Sequence, residues 1–216
     1  MKRLVIFDLD GTLLDTIQDL GEAVNHALAS EGLPIHGLEV FPSMVGRGIR
    51  NLVKRALPGN LQADDAYIDK CLAIFKDYYS GHIDVHTRPY PGMQAFLRDL
   101  HNRGIRLSVL SNKFQEGAEV LVNEFFGDIP FACVLGNREG YPLKPDPAVV
   151  DEILARAGMQ KHDAVLVGDS IPDMRTAQNA RIDAIAVTWG YCPAEDLSGY
   201  RLVSSPEELR DLILTW

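Results

Sequence analysis

Four short segments of the chain carry residues whose types and spacing suit chemistry. Asp8 and Asp10 follow an apolar run in the stretch DLDGT, and the two-residue period of an extended chain aims both carboxylates the same way. Gly11 permits a tight turn whose backbone N–H groups can face an anion. Asp169 and Asp173 repeat the placement in GDSIPD, after a second apolar run. If both runs are central strands, the four carboxylates converge, and like charges strongly oppose joint ionisation. A hard divalent cation resolves that conflict, and oxygen ligands without clustered histidine or cysteine favour magnesium. Opposite polarity comes from Ser111-Asn112-Lys113, with a hydroxyl and N–H donors for phosphate oxygens, and from Lys144-Pro145, whose lysine is the candidate phosphate cation. A carboxylate nucleophile, a metal, donors and a lysine describe phosphoryl transfer.

The elements that must position these groups are legible as runs and periods. Strand-length apolar segments recur at Leu4 to Phe7, Ile105 to Leu110, Ala132 to Leu135, Ala164 to Val167 and Ala184 to Val187. Helical patterns at Met93 to Asn102, Phe114 to Phe125, Pro147 to Ala157 and Pro172 to Ala180 fall between most of them, which predicts an α/β fold on a parallel sheet buried on both faces. Asp19 to Gly81 breaks the rhythm with three helical patterns in succession. Leu20, Val24, Ala27 and Leu28 share a face ended by Gly32-Leu33-Pro34; Ile49 to Leu57 and Asp65 to Ser80 follow. The expected organisation is therefore a core of residues 1–16 and 84–216 with a helical insertion at 17–83. The chain returns through an extended hinge near Thr87 to Gly92.

In this arrangement the chain resembles the haloacid dehalogenase superfamily of phosphatases. DLDGTLLDT at Asp8 to Thr16, SNK at Ser111 to Lys113, KP at Lys144-Pro145 and GDSIPD at Gly168 to Asp173 match its four motifs in order, across nearly the whole chain. The resemblance implies a Rossmann-like three-layer core with a mobile helical cap inserted after the first strand. It also implies roles: Asp8 as nucleophile, Asp10 as general acid then base, Ser111 and Lys144 on the phosphoryl group. Magnesium would be served by Asp8, the main-chain carbonyl of Asp10, Asp169 and, directly or through water, Asp173. Within the superfamily the chain is most similar to phosphoglycolate phosphatases, through VGRGI at Val45 to Ile49, RPYPG at Arg88 to Gly92 and the extended GDSIPDM. Phosphosugar phosphatases, pyrophosphatases and β-phosphoglucomutases share much of the pattern. Dehalogenases fit poorly, because their first motif lacks the second aspartate supplied here by Asp10. A catalytically silent phosphate-binding regulator is the non-enzymatic alternative, opposed by the presence of Asp8, Asp10, Lys144 and Asp169 together.

Composition narrows the partners. With 21 Lys+Arg against 30 Asp+Glu the net charge is −9, which disfavours a nucleic-acid-coating role. No apolar run approaches the ~20 residues of a bilayer span, and Cys71, Cys133 and Cys192 form no CxxC. A cytoplasmic monomer or homodimer acting on a small phosphorylated metabolite, away from membranes, is the expectation. Against that acidic background Phe41 to Ala63 holds no acid but carries Arg47, Arg50, Lys54 and Arg55. Arg47, between two glycines, is the expected substrate-binding residue of the insertion, whereas Lys54 and Arg55 read as a solvated face. Asp15 and Thr16 read as helix-entry caps, Ser111 as either a phosphate donor or the cap of the helix near Phe114, and Asp173 as partly a helix-start acid. His82 and His86 have a ligand-like spacing but no third partner, so they read as solvated or structural; Asn112 joins Ser111 as a donor, and Lys113 has no assigned role.

Overall fold

The computed structural model describes residues 1–216. At its centre β1 (Leu4–Phe7) lies between β4 (Arg106–Phe114) and β6 (Ala164–Gly168), parallel to both. The six-stranded parallel sheet runs β5-β4-β1-β6-β7-β8, with β5 at Phe131–Asn137, β7 at Asp183–Val187 and β8 at Leu202–Val203. Every β1 side chain is fully buried, which is why the run is apolar without alternation. The alternation shows in which layer each side chain joins. Val5 and Phe7 pack in the larger cluster with Leu97 and Leu100 of α4 (Met93–Asn102), Leu121 of α5 (Gln115–Phe126) and Ile213 of α8 (Pro206–Thr215). Leu4 and Ile6 join Val150 and Ile153 of α6 (Ala148–Ala157) and Met174 of α7 (Ile171–Ala180).

The chain leaves β1 for one side of the sheet and returns to β6 on the other. The carboxyl end of β1 is thus a topological switch point, where open α/β sheets leave a crevice. Over this end lie α1 (Ile17–Ser30), a 3-10 turn at Leu38–Ser43, α2 (Ile49–Ala56) and α3 (Asp65–Ser80). Val24, Leu28, Leu52, Val53, Ile68 and Phe75 from these helices share one buried cluster with the sheet residues. Asp64 starts α3 by accepting a hydrogen bond from Tyr67 N.

Three features differ from the sequence expectation. The hinge is a two-strand ribbon in which β2 (Leu14–Asp15) pairs antiparallel with β3 (Arg88–Pro89), so the outgoing and returning linkers brace each other. β4 runs on through Ser111-Asn112-Lys113 after a register shift, ending where Phe114 pairs with Asn137, because those residues are buried and hydrogen-bonded rather than looped. Consequently α5 starts at Gln115, Phe114 stands at its N-cap position, and Ser111 is not its cap. The edge strand β8 and α8 were not among the expected elements. No helix is long and apolar enough to cross a membrane.

Candidate active site

Asp8 leaves β1 fixed by two donors on one oxygen. Oδ1 accepts from Leu9 N at 2.7 Å and lies 2.7 Å from Lys144 Nζ, so Oδ2 carries no hydrogen bond from the chain. Burial and the neighbouring carboxylates of Asp173 and Asp169 push the Asp8 carboxyl well above the usual carboxylate range, against the opposing pull of Lys144. Asp10 shows the same asymmetry: Oδ1 accepts from Thr16 Oγ1 at 2.7 Å and Lys113 Nζ at 3.1 Å, and no hydrogen bond of the chain ends on Oδ2. Both residues line the cavities at the crevice.

Lys144 enters from the segment between β5 and α6. Its buried Nζ meets Asp173 Oδ1 at 2.6 Å and the Leu110 carbonyl at 3.1 Å, besides Asp8. Burial opposes the charge of this lysine, but Asp173 and Asp8 outweigh it and hold the ammonium above its ordinary pKa. Asn112 places the lysine: its Oδ1 accepts from Lys144 N at 2.8 Å, and its Nδ2 donates to the carbonyls of Gly46 at 2.9 Å and Lys144 at 3.3 Å. The Asn112 side chain is therefore committed to the protein, tying the 45–48 loop to the sheet. Ser111 keeps its hydroxyl proton available; its Oγ accepts from Lys113 N at 3.2 Å.

Asp169 is set in a cradle of two glycines. A Cβ on Gly11, whose φ is +86°, would sit 2.4 Å from Asp169 Oδ2, and one on Gly190 would sit 2.3 Å from Asp169 Cβ. Tyr191 N donates to Oδ2 at 2.7 Å and Thr12 Oγ1 to Oδ1 at 3.2 Å. Burial, with Asp173 second, raises this carboxyl to about 7. Asp173 is a helix-start acid as expected: Oδ2 accepts from Ser170 N at 3.1 Å and from the Ser170 hydroxyl, while Oδ1 takes Lys144.

Asp8, Asp169 and Asp173 offer oxygens all within 4.8 Å of one another, an arrangement that suits a metal ion. Charge supports the fit. Asp8, Asp169 and Asp173 face only Lys144, leaving two negative charges unbalanced in a buried place. A bound dication is the direct way to hold Asp8 and Asp169 ionised there. A second group, Asp19, Glu22 and His86, ties the returning linker to α1. The Asp19 carboxylate accepts from His86 N, Thr87 N and Thr87 Oγ1, and His82 stacks on Tyr78 at 3.9 Å, which agrees with a structural reading of the histidine pair.

Other residues meet expectation in part. Thr16 stands at the N-cap position of α1 as expected, but its hydroxyl donates to Asp10 and makes no capping hydrogen bond. Asp15 keeps its expected place at the helix entry, its Oδ1 accepting from Ile17 N at 3.3 Å, and also accepts from Tyr191 OH at 3.0 Å. Arg47 is exposed and lines a cleft of about 390 Å³ together with Asp8, Asp10, Arg55 and Asp169. Arg50 pairs with Asp65 and Asp69, both at 2.8 Å, and does not reach the site. A smaller cavity of about 30 Å³ lies inward, floored by Ser111, Asn112 and Lys113 and roofed by Leu20, Ile49 and Leu52. Sequence reasoning missed Gly190, Tyr191 and Tyr79. Each stands in an unremarkable stretch, and only the fold brings it to the site.

The chain is similar over most of its length to known proteins. A phosphoglycolate phosphatase of Pseudomonas aeruginosa is 34% identical over 218 residues, covering 99% of this chain and 79% of its own. One from Mesorhizobium japonicum is 35% identical over 191 residues, 88% of this chain and 84% of its own. The crystal structure of a Lactobacillus delbrueckii subsp. bulgaricus protein, provisionally named a phosphoglycolate phosphatase, superposes with a TM-score of 0.92 at 31% identity, covering 99% of both chains. The sequence profile of haloacid dehalogenase-like hydrolases matches residues 5–187, and the chain belongs to that enzyme family.

Proposed function

We propose that this chain is a magnesium-dependent hydrolase of small phosphomonoesters, with 2-phosphoglycolate as its first substrate. The observation that carries the reading is the pair of carboxylates, Asp8 and Asp10, each held through Oδ1 with Oδ2 free, beside the buried ammonium of Lys144. Asp8, Asp169, Asp173 and the main-chain carbonyl of Asp10 would hold the metal, which supplies charge neutralisation for an incoming phosphate.

The free oxygen of Asp8 attacks phosphorus, and the bond from phosphorus to the ester oxygen breaks. Asp10 gives its proton to the departing alkoxide. Asp10, now ionised, takes a proton from water as that water attacks the aspartyl-phosphate, and the bond from phosphorus to Asp8 breaks. Inorganic phosphate leaves with Asp8 restored and Asp10 protonated again. Lys144 and Ser111 hold the phosphoryl oxygens throughout.

Residues 17–83 act as a cap closing over the core of 1–16 and 84–216. The paired linkers and the Asp19 clasp support a defined hinge, and the bond from Asn112 to Gly46 supports closure at the 45–48 loop. The cap gives apolar side chains to the inner cavity and Arg47 and Arg55 to the outer cleft, which favours a short anionic substrate over a sugar needing hydroxyl partners. Three free cysteines support a reducing, cytoplasmic setting. Phosphate release from a phosphomonoester panel, with magnesium and with chelator, tests the reading; turnover of 2-phosphoglycolate only with the metal is expected, and no hydrolysis of any monoester overturns it.

A further inference from the structure

Lys113 is a fully buried cation that the steps above do not use. Its Nζ donates to Asp10 Oδ1 at 3.1 Å on the core side and to Tyr79 OH at 2.7 Å on the helical side. Its side chain is 1% exposed and that of Asp10 12%. Tyr79 lies one residue before the end of α3, fully buried, with its ring stacked on Phe75 at 5.2 Å and edge-on to Phe114 at 6.1 Å. A lysine stem is long and flexible, so an ammonium at the end of β4 needs a second anchor to stay at one place beside a carboxylate. Tyr79 supplies that anchor from another element, and packing leaves its ring little freedom.

The geometry points to Lys113 and Tyr79 as a positioning pair for Asp10, resting on the phosphatase reading above. Lys113 from β4 and Thr16 from the outgoing linker both engage Oδ1 of Asp10, and together they leave Oδ2 as the oxygen that exchanges protons. Neither Lys113 nor Tyr79 handles a proton of the reaction. Tyr79 acts through Lys113, so the rotamer of Asp10 depends on α3 being in place, and an Asp10 released from Lys113 would lose its aim without losing its carboxyl.

The test compares the unmodified full chain with Lys113→Met, Tyr79→Phe and the double variant, using 2-phosphoglycolate with magnesium for turnover and rapid-quench measurement of the phosphoenzyme formed from p-nitrophenyl phosphate, whose leaving group needs no proton. Lys113→Met is expected to lower kcat about 10- to 100-fold with KM within about twofold, and Tyr79→Phe to lower it about three- to tenfold. Adding Tyr79→Phe to Lys113→Met should change nothing further, because the anchor has nothing left to hold. Phosphoenzyme per protein should rise in both single variants, a gain that a merely unstable protein would not produce. Additive losses, a raised KM with normal kcat, or a phosphoenzyme level no higher than in the unmodified chain would overturn the pairing. If Lys113→Met fails to fold, Tyr79→Phe removes a single oxygen, and a kcat within twofold of the unmodified chain would still overturn it. No turnover by the unmodified chain, with any monoester, overturns both this inference and the reading beneath it; normal turnover there with insensitive variants overturns this inference alone.

Discussion

Asp8 and Asp10 are two residues apart and do opposite work in the proposed cycle, and their different neighbours explain how. Asp8 touches Lys144 and lies among the acids that could hold a metal ion, whereas Asp10 is tied to Thr16 and Lys113. Asp8→Asn should abolish covalent labelling and turnover together, since an amide cannot attack phosphorus. Asp10→Asn should behave differently with an activated ester such as p-nitrophenyl phosphate, whose leaving group needs no proton. The phosphoenzyme forms but its hydrolysis lacks a base, so rapid quench should find more acyl-phosphate per protein than in the unmodified chain. Labelling that survives Asp8→Asn would remove Asp8 from the nucleophile's role. The acids were legible because carboxylates at strand ends are conspicuous, but Gly190 was not. Its significance is the 2.4 Å at which a Cβ would meet the Gly11 carbonyl, a distance only the fold creates. Gly190→Ala should destabilise the protein by about 1–3 kcal/mol in urea titrations, as overpacking does, and weaken magnesium binding by displacing Asp169.

At the scale of elements, the long patterns were legible and the short ones were not. The spans Met93 to Asn102 and Asp65 to Ser80 were read to the residue, since ten or more positions of helical period identify a helix. The ribbon of Leu14–Asp15 with Arg88–Pro89 has two residues a side, too few to display alternation. Likewise, the bulge that keeps Ser111 to Lys113 within β4 depends on pairing with β5, which no local signal reports. The hinge clasp was invisible for a related reason: Asp19 sits on α1, while its donors lie more than sixty positions away on the return linker. Asp19→Ala leaves those donors unpaired at a buried place, and a loss of about 2–3 kcal/mol in denaturant unfolding is expected. The loop that carries Arg47 gives a different readout. Arg47→Ala should depress kcat/KM for 2-phosphoglycolate more than for p-nitrophenyl phosphate, because only the former offers a carboxylate for the guanidinium. Equal losses on both would assign Arg47 to closure instead.

For the whole molecule, the sheet gathers acids from two neighbouring strand ends into one buried place, and folding must bear their mutual repulsion. Asp169 shows the consequence for pH. Its folded pKa, raised to about 7, lies above the unfolded value near 3.8, so the native state binds more protons than the unfolded one between those limits. Without metal, this site therefore favours folding below about pH 4, and its contribution is lost as pH rises through 7, with a slope approaching about 1.4 kcal/mol per pH unit for one proton. A dication reverses the balance by stabilising the ionised carboxylates, and binding only the native state raises stability further. In chelator at pH 8, Asp169→Asn should accordingly melt at a higher temperature than the unmodified chain, and the gap should narrow toward pH 5. With magnesium at pH 8 the order should invert, because the unmodified chain gains the metal's stabilisation and the variant lacks a charged ligand. Thermal melts of both proteins, with magnesium and with chelator at the two pH values, check this. An unmodified chain more stable than Asp169→Asn in chelator at pH 8 would mean that local hydrogen bonds from Tyr191 and Thr12, rather than a metal, keep Asp169 charged.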